Sequence, residues 1–459
     1  MHRVGRSNAM TLFGTNGIRG TVNDDLTSDI AIMIGKAVGI TYGMNIAVAT
    51  DARDSADMLK SALFAGLMAV GCNVVDLGVL PTPALQYYVR THDRITGGVM
   101  ITASHNPSEQ NGFKFIGPNG VEVTQDDESA LEGFCSSMIG DADWDEIGDL
   151  SYDSGAASEY VDSVVSQVDA AAIRDAGLTV CADLSNGATC FTTPFILKDL
   201  GIRALILNAD PTGGMIGVSS DPTEDKLTLL KTMVRESGAD LGVAHDSDGD
   251  RTIFITSSGE YVEGDMSLAL MAKYILEDHR GKVITPISSS KIVEDVVESS
   301  GGMLKFTPVG SHMLVKKIDE NKAVFGGEEN GGMVFPEFQN CRDGAMTMVK
   351  MIECIVKRGP LSNQLSAFSR YSTVKAKVDC SDEMKSDLLD HFVETSEGIR
   401  SDLTDGIKLM FDDGWVLLRP STTEECFRIY SESSDEATAR SRADRYVEEA
   451  KAYLESRTQ

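Results

Sequence analysis

Segments that read as strands alternate with segments that read as helices through most of this chain, and that rhythm restricts its fold more than any other feature. Residues 45–50 form a buried-strand run, 55–70 carry the spacing of an amphipathic helix, and 73–77 read as strand. A helix over 82–91 and a strand over 97–102 follow. After an acidic stretch containing Gly and Ser at 140–158, the pattern resumes with strand 178–184, helix 192–199, strand 204–207, helix 227–236 and strand 240–244. A third round runs from 265 to about 357. Such alternation predicts α/β domains built from crossover units. At 459 residues the chain is too long for one core, so three or four domains are expected. Residues 366–459 read differently: strand 373–378, helix 382–394, a hairpin over 408–419 turning at Asp412-Asp413-Gly414, strand 427–432 and a long helix over 437–454. That order predicts a smaller α+β domain with an antiparallel sheet.

Composition narrows the function. No window reaches the roughly 18 consecutive apolar residues of a membrane span, and the longest candidate, 62–75, contains Gly66 and Gly71. Without a charged segment and apolar run at the amino terminus, the expected location is cytoplasmic. Residues 1–9 read as a non-native or dispensable leader. The eight cysteines are scattered with no C-x-x-C pair, which predicts reduced, mostly buried thiols and no zinc site. A net charge of −29 argues against nucleic acid as a partner, because phosphate tracking needs clustered Lys and Arg. On so acidic a protein, a site for a phosphorylated substrate must be locally basic or carry a metal.

Four loops carry candidate chemistry. The strand at 97–102 leads into Ala103-Ser104-His105-Asn106-Pro107 and then Asn111-Gly112-Phe113-Lys114-Phe115. A polar loop after a buried strand is a favoured place for chemistry in α/β domains. Ser104 is a candidate nucleophile or phosphoryl carrier there, with His105 and Lys114 in reach; a helix-capping turn is the structural alternative. The second loop is Asp246-Ser247-Asp248-Gly249-Asp250-Arg251. Alternate carboxylates face one side of an extended chain, and three so close repel one another unless a hard cation sits among them. An EF-hand is excluded, because Arg251 stands where its loop needs Gly and Ser257 where it needs Glu. Magnesium suits an all-oxygen set.

The third loop, Gly326 to Gly332 with Glu328, Glu329 and Asn330, combines close backbone approach with groups that bind several hydroxyls, as a sugar requires. The fourth, Arg419-Pro420-Ser421-Thr422-Thr423-Glu424 with Arg428 beyond it, has the guanidinium, hydroxyl and amide donors of a phosphate cradle. Each of these two also reads as a plain surface turn.

Taken in order, the four loops resemble those of the α-D-phosphohexomutases, the family of phosphoglucomutase, phosphomannomutase and phosphoglucosamine mutase. The likeness runs from Leu12-Phe13-Gly14-Thr15-Asn16-Gly17-Ile18-Arg19-Gly20 to Phe427-Arg428-Ile429-Tyr430, and the third loop with Arg342-Asp343-Gly344 is most like archaeal members. The resemblance implies three similar α/β domains with mixed sheets around a central cleft, plus a smaller, mobile C-terminal α+β domain. Each would supply one loop: 10–150 the phosphoserine loop, 151–256 the metal loop, 257–365 the sugar loop and 366–459 the distal phosphate loop. It further implies Mg2+ on Ser104, Asp246, Asp248 and Asp250. Catalysis would involve Ser104, Lys114, His105 and Arg19. Substrate would be held by Arg251, Glu328, Asn330, Arg419, Ser421, Thr423 and Arg428. The implied reaction interconverts hexose 1-phosphate and hexose 6-phosphate, of glucose or mannose, through a phosphoserine and a bound hexose 1,6-bisphosphate.

The chain departs from the family in places. The third loop often reads Glu-x-Ser-Gly-His in relatives, whereas Asn330 and Gly332 stand at the Ser and His positions here. Thr422 and Glu425 replace the usual Gly and Pro of the fourth loop, and Ser311 stands where some relatives place a histidine, with His312 after it. Glucosamine phosphate is therefore the alternative sugar, and a metal-dependent phosphatase or a silent sugar-phosphate sensor the rival functions. Oligomeric state is not legible.

Overall fold

The computed structural model describes residues 17–135, 139–211, 219–421 and 424–457. The leader at 1–9, the opening motif through Asn16, and Thr422 and Thr423 of the fourth loop lie outside them. Four sheets follow one another along the chain. The first is mixed, in the order Ile18–Thr21, Gln110–Ile116, Gly97–Ile101, Asn45–Thr50, Asn73–Val79, Leu150–Tyr152. Its central strands Asn45–Thr50 and Gly97–Ile101 run parallel, with Thr50 opposite Ile101, so the segments that leave them, 51–53 and 102–107, emerge side by side. That shared edge is where α/β sheets place their sites.

The second sheet runs Tyr261–Val262, Thr252–Thr256, Leu241–His245, Thr179–Asp183, Arg203–Leu207, and the third Met303–Thr307, Lys282–Pro286, Phe325–Gly327, Met333–Phe335, Gln339–Arg342. Both mix parallel and antiparallel pairs. The last sheet, Ser372–Asp379, Cys426–Ser433, Gly414–Pro420, Ile407–Phe411, Ser401–Asp402, is antiparallel throughout. Its hairpin closes with Phe411 opposite Gly414 across Asp412 and Asp413, as the turn chemistry predicts.

One unbroken apolar core joins the first three sheets, from Ala47 and Met100 through Val180 and Val243 to Val283 and Phe325. The fourth domain keeps its own, around Phe392, Leu418 and Phe427. The first three domains are therefore packed as one body, while the fourth meets the third through a smaller contact. There Lys408 lies between the Phe306 and Trp415 rings, 4.4 Å from each centroid, and donates to the carbonyls of Ile287 and Ser289. Burial pushes its ammonium down to about 8.

The thiols are free, seven of them buried and Cys190 half-buried. No helix among the described residues is long and apolar enough to cross a membrane.

Two features differ from the expectations. Gln110–Ile116, which holds Lys114, is a strand rather than a continuation of the serine loop. It is buried at nearly every position, so it shows none of the alternation that marks a half-exposed strand. Observed element ends also move by one to three residues, as at Leu241–His245 and at the end of the last helix, Glu436–Arg457, where termini fray.

Candidate active site

Ser104 sits just past the end of Gly97–Ile101 with φ 51°, a left-handed backbone that costs a non-glycine residue about 1–2 kcal/mol. Its surroundings hold that conformation. The Ser104 N–H donates to Thr102 Oγ1 at 2.8 Å, and Thr102 donates to Asp51 Oδ2 at 2.6 Å. The Ser104 carbonyl accepts from Ser247 Oγ at 2.6 Å and from Arg53 Nη2 at 2.6 Å.

Arg53 is a site residue that sequence reasoning missed. Its fully buried guanidinium donates to Asp51 and to the carbonyls of Ser104, Asn106, Pro107 and Gln110, so every N–H it has is used. The available signal was an Asp-x-Arg triplet leaving a buried strand. Arg53→Met leaves the buried Asp51 carboxylate without its cation, which should cost about 3–5 kcal/mol of stability. Urea denaturation of the two proteins checks this; a loss under about 1 kcal/mol, the scale of an exposed pair, contradicts it.

The metal loop leaves the wholly buried strand Leu241–His245. Asp246, Asp248 and Asp250 are buried, and one carboxylate oxygen from each lies within 4.8 Å of the others. Ser104 Oγ donates to Asp246 Oδ2 at 3.3 Å. Asp248 Oδ2 accepts from Lys114 Nζ at 2.6 Å and Thr82 Oγ1 at 2.8 Å. Asp250 Oδ2 accepts from Arg342 Nη2 at 2.5 Å and Lys114 at 3.3 Å. Asp248 Oδ1 and Asp250 Oδ1 are buried without a hydrogen-bond partner. Buried polar atoms rarely stay so, and these two point to a cation between them.

Charge in the site is finely divided. Burial, with Asp250 and Asp248 adding to it, pushes the Asp246 carboxyl well above the ordinary carboxylate value. Burial acts the same way on Asp250, but Arg342, Lys114 and Arg251 outweigh it and hold that group below the ordinary value. For Lys114 the burial penalty is likewise overcome, by Asp248 and Asp250, and its ammonium is favoured. Burial, then the Arg251 and Arg19 charges, push His105 down to about 4, so its imidazole is neutral at pH 7. His105 Nδ1 is 3.4 Å from Ser104 Oγ. Arg19 donates to Asn106 at 3.3 Å, and Arg251 lies 3.8 Å from both Asp246 and Asp250. The Nε atoms of Arg19 and Arg251 are buried and make no hydrogen bond, the Arg251 Nε being the atom 3.8 Å from both carboxylates.

The sugar loop packs onto this centre. Glu328 N–H donates to the Gly332 carbonyl at 2.9 Å, closing a turn in which Gly331 has φ 88°. A Cβ on Gly331 would lie 2.4 Å from the Thr252 carbonyl oxygen, so only glycine lets the loop approach the metal-loop domain so closely. Asn330 Oδ1 accepts from Gly332 N–H at 3.0 Å, and Glu328 accepts from Arg342 Nη1 at 2.7 Å.

In the fourth domain, Arg419 pairs with Asp405 at 3.0 Å and Arg428 with Glu424 at 3.3 Å. Glu424, rather than the Glu425 singled out from the sequence, engages the loop's cation. Lys385 Nζ, also missed by sequence reasoning, donates to the carbonyls of Ser421 and Glu424 at 2.6 and 2.7 Å and clamps both ends of the loop. Ser104, His105, Arg19, Lys114, the aspartates, Arg251 and Glu328 thus converge, while Arg419 and Arg428 find their partners within the fourth domain.

Three joined α/β domains, an antiparallel fourth, and loops gathered at one centre define the four-domain phosphohexomutase class of protein. Family models described as phosphoglucomutase/phosphomannomutase alpha/beta/alpha domains I, II and III match residues 10–137, 158–259 and 263–371, and that of the C-terminal domain matches 376–449. The chain belongs to the phosphoglucomutase/phosphomannomutase family. It is 38% identical over 440 residues to a phosphoglucomutase/phosphomannomutase of Thermococcus kodakarensis, covering 94% of this chain and 96% of that one. It is also 38% identical to a probable phosphoglucosamine mutase of Methanopyrus kandleri, covering 95% and 97%. A solved structure of a putative phosphomannomutase from Thermus thermophilus superposes with a TM-score of 0.80 at 25% identity, covering 96% of this chain and 98% of that one.

Proposed function

We propose that this protein is a magnesium-dependent phosphohexomutase interconverting hexose 1-phosphate and hexose 6-phosphate, with Ser104 as phosphoryl carrier and a hexose 1,6-bisphosphate as bound intermediate. The observation that carries the reading is the 3.3 Å contact between Ser104 Oγ and a buried aspartate triad with two unpartnered oxygens. The all-oxygen donor set fits a hard dication, which Asp246, Asp248, Asp250 and an oxygen of phospho-Ser104 would hold. When bound, magnesium would offset negative charge on the transferring phosphoryl group.

The chain's own residues supply the rest. A sugar hydroxyl oxygen attacks phosphorus, the bond from phosphorus to Ser104 Oγ breaks, and the hydroxyl proton must end on Ser104 Oγ. His105, neutral and beside that oxygen, and Lys114 are the groups proposed to carry it. Arg19 and Arg251, each with an uncommitted Nε–H, orient the phosphoserine. Glu328 and Asn330 hold hydroxyls common to both ends of the substrate. The bisphosphate then turns over, and its other phosphate returns to Ser104.

Arg419, Ser421, Thr423 and Arg428 hold the phosphate that is not reacting, displacing Asp405 and Glu424 from the two arginines. Distal anchoring of this kind supplies orientation worth about 7–11 kcal/mol when near ideal. The separate core of the fourth domain suits a part that closes over substrate to exclude water and opens to release product.

Glucose 1-phosphate with a trace of bisphosphate activator tests the reading. Glucose 6-phosphate is the expected product; release of inorganic phosphate instead makes the protein a phosphatase. Mannose and glucosamine 1-phosphates assayed alongside decide the sugar, since relatives of both kinds match equally well.

A further inference from the structure

The sugar loop and the metal loop share one side chain that has no part in the chemistry just proposed. Arg342 ends the strand Gln339–Arg342 and is buried, with 6% of its side chain exposed. One arm of its guanidinium donates to Glu328 Oε2 at 2.7 Å and the other to Asp250 Oδ2 at 2.5 Å. A planar fork is the group suited to hold two carboxylates of different loops in fixed register.

The path of this side chain depends on a second residue. A Cβ on Gly332 would lie 2.5 Å from Arg342 Cδ and 3.3 Å from Cγ. The arginine stem thus fills the space that a side chain at 332 would need. Gly332 and Arg342 form one device, in which the missing side chain of the first makes room for the second.

We infer that Arg342 is a positioning residue that aims the Glu328 carboxylate at the sugar while moderating the pull of Asp250 on the divalent cation. One guanidinium serves both ends, so its effects on the two ligands have opposite signs. It fixes the carboxylate that binds hydroxyls, which favours sugar. It also places a positive charge against a metal ligand, which opposes a dication. The inference rests on the hexose phosphate reading for its sugar half only.

The test uses the full-length chain and its Arg342→Gln, Arg342→Lys and Gly332→Ala variants. Mn2+ affinity is measured by calorimetry without sugar, and KM and kcat are measured for glucose 1-phosphate. Arg342→Gln should bind Mn2+ several-fold more tightly and raise KM by about 10-fold or more, the scale on which metal-site supporting residues act, with a smaller change in kcat. Arg342→Lys keeps the charge without the fork, so Mn2+ affinity should return to the wild-type value while KM stays raised. Gly332→Ala should raise KM by crowding the arginine stem. General damage to the site would weaken both ligands together, and that result, or an unchanged KM or Mn2+ affinity in Arg342→Gln, overturns the inference. Wild-type protein that converts no hexose phosphate overturns the functional reading instead, and the Mn2+ titration still reports on the tie between Arg342 and Asp250.

Discussion

Ser104→Ala should lower mutase turnover by roughly six orders of magnitude, the scale seen when a covalent nucleophile is removed, and leave the fold intact. The second half of that expectation follows from how the residue is held. Its N–H bonds to Thr102, and its carbonyl accepts from Arg53 and Ser247; alanine keeps all of these. Serine and alanine also pay similar strain at φ 51°, so the backbone has no new reason to move. Only the two long Oγ contacts, to Asp246 at 3.3 Å and to His105 Nδ1 at 3.4 Å, are lost. A coupled assay, a thermal melt and an intact-mass measurement check the three parts: no turnover, little change in Tm, and no phosphoryl mass increment. Wild-type turnover in the variant removes Ser104 from its role.

Asp246→Asn should separate stability from activity. In the metal-free protein the three buried carboxylates repel, and Asp246 carries the raised value. A carboxyl whose folded value lies above its unfolded one binds protons more readily in the native state. Its contribution to stability is therefore greatest in acid and falls as pH rises from the ordinary carboxylate value through the raised one. Asparagine does not titrate, so the metal-free variant should be more stable than wild type at pH 7, by about 1 kcal/mol or more for each unit of the shift removed. Activity should move the other way, falling at least about 100-fold, because a direct ligand matters at least as much as the outer partners whose loss costs 10–100-fold. Urea denaturation at pH 5 and pH 8, paired with Mg2+-dependent turnover, checks both signs. A variant less stable than wild type at pH 8, or as active, contradicts the account.

Much of this was legible in the sequence because it was local. The helix Thr82–Thr91 has the predicted bounds, and the alternation of strand and helix gave the α/β class directly. Ser104, Lys114 and the aspartates were readable as residue types in suggestive order, and the structure brings them within hydrogen-bond distance. What was hidden depends on separations no local pattern records. Arg53 binds the carbonyl of Ser104 because two parallel strands end side by side, and nothing near position 53 announces that neighbour. Arg342 matters because Gly332 leaves room for it, a relation between a loop position and the end of a strand ten residues on. Lys385 sits on a helix, where a lysine usually reads as a solvated charge, yet it faces inward to clamp the phosphate loop. Carbonyl acceptors carry no residue identity, so donors aimed at backbone are the part of a site that a sequence conceals most thoroughly.

Transfer of the phosphoryl group from Ser104 to a sugar, rather than to water, is the central claim. Enzyme carrying a radiolabelled phosphoryl group on Ser104, mixed with unlabelled hexose 6-phosphate and Mg2+ and quenched within one turnover, tests it most directly. Label should appear in hexose bisphosphate and then in hexose monophosphate. Label recovered as inorganic phosphate, or left on the protein, would contradict it.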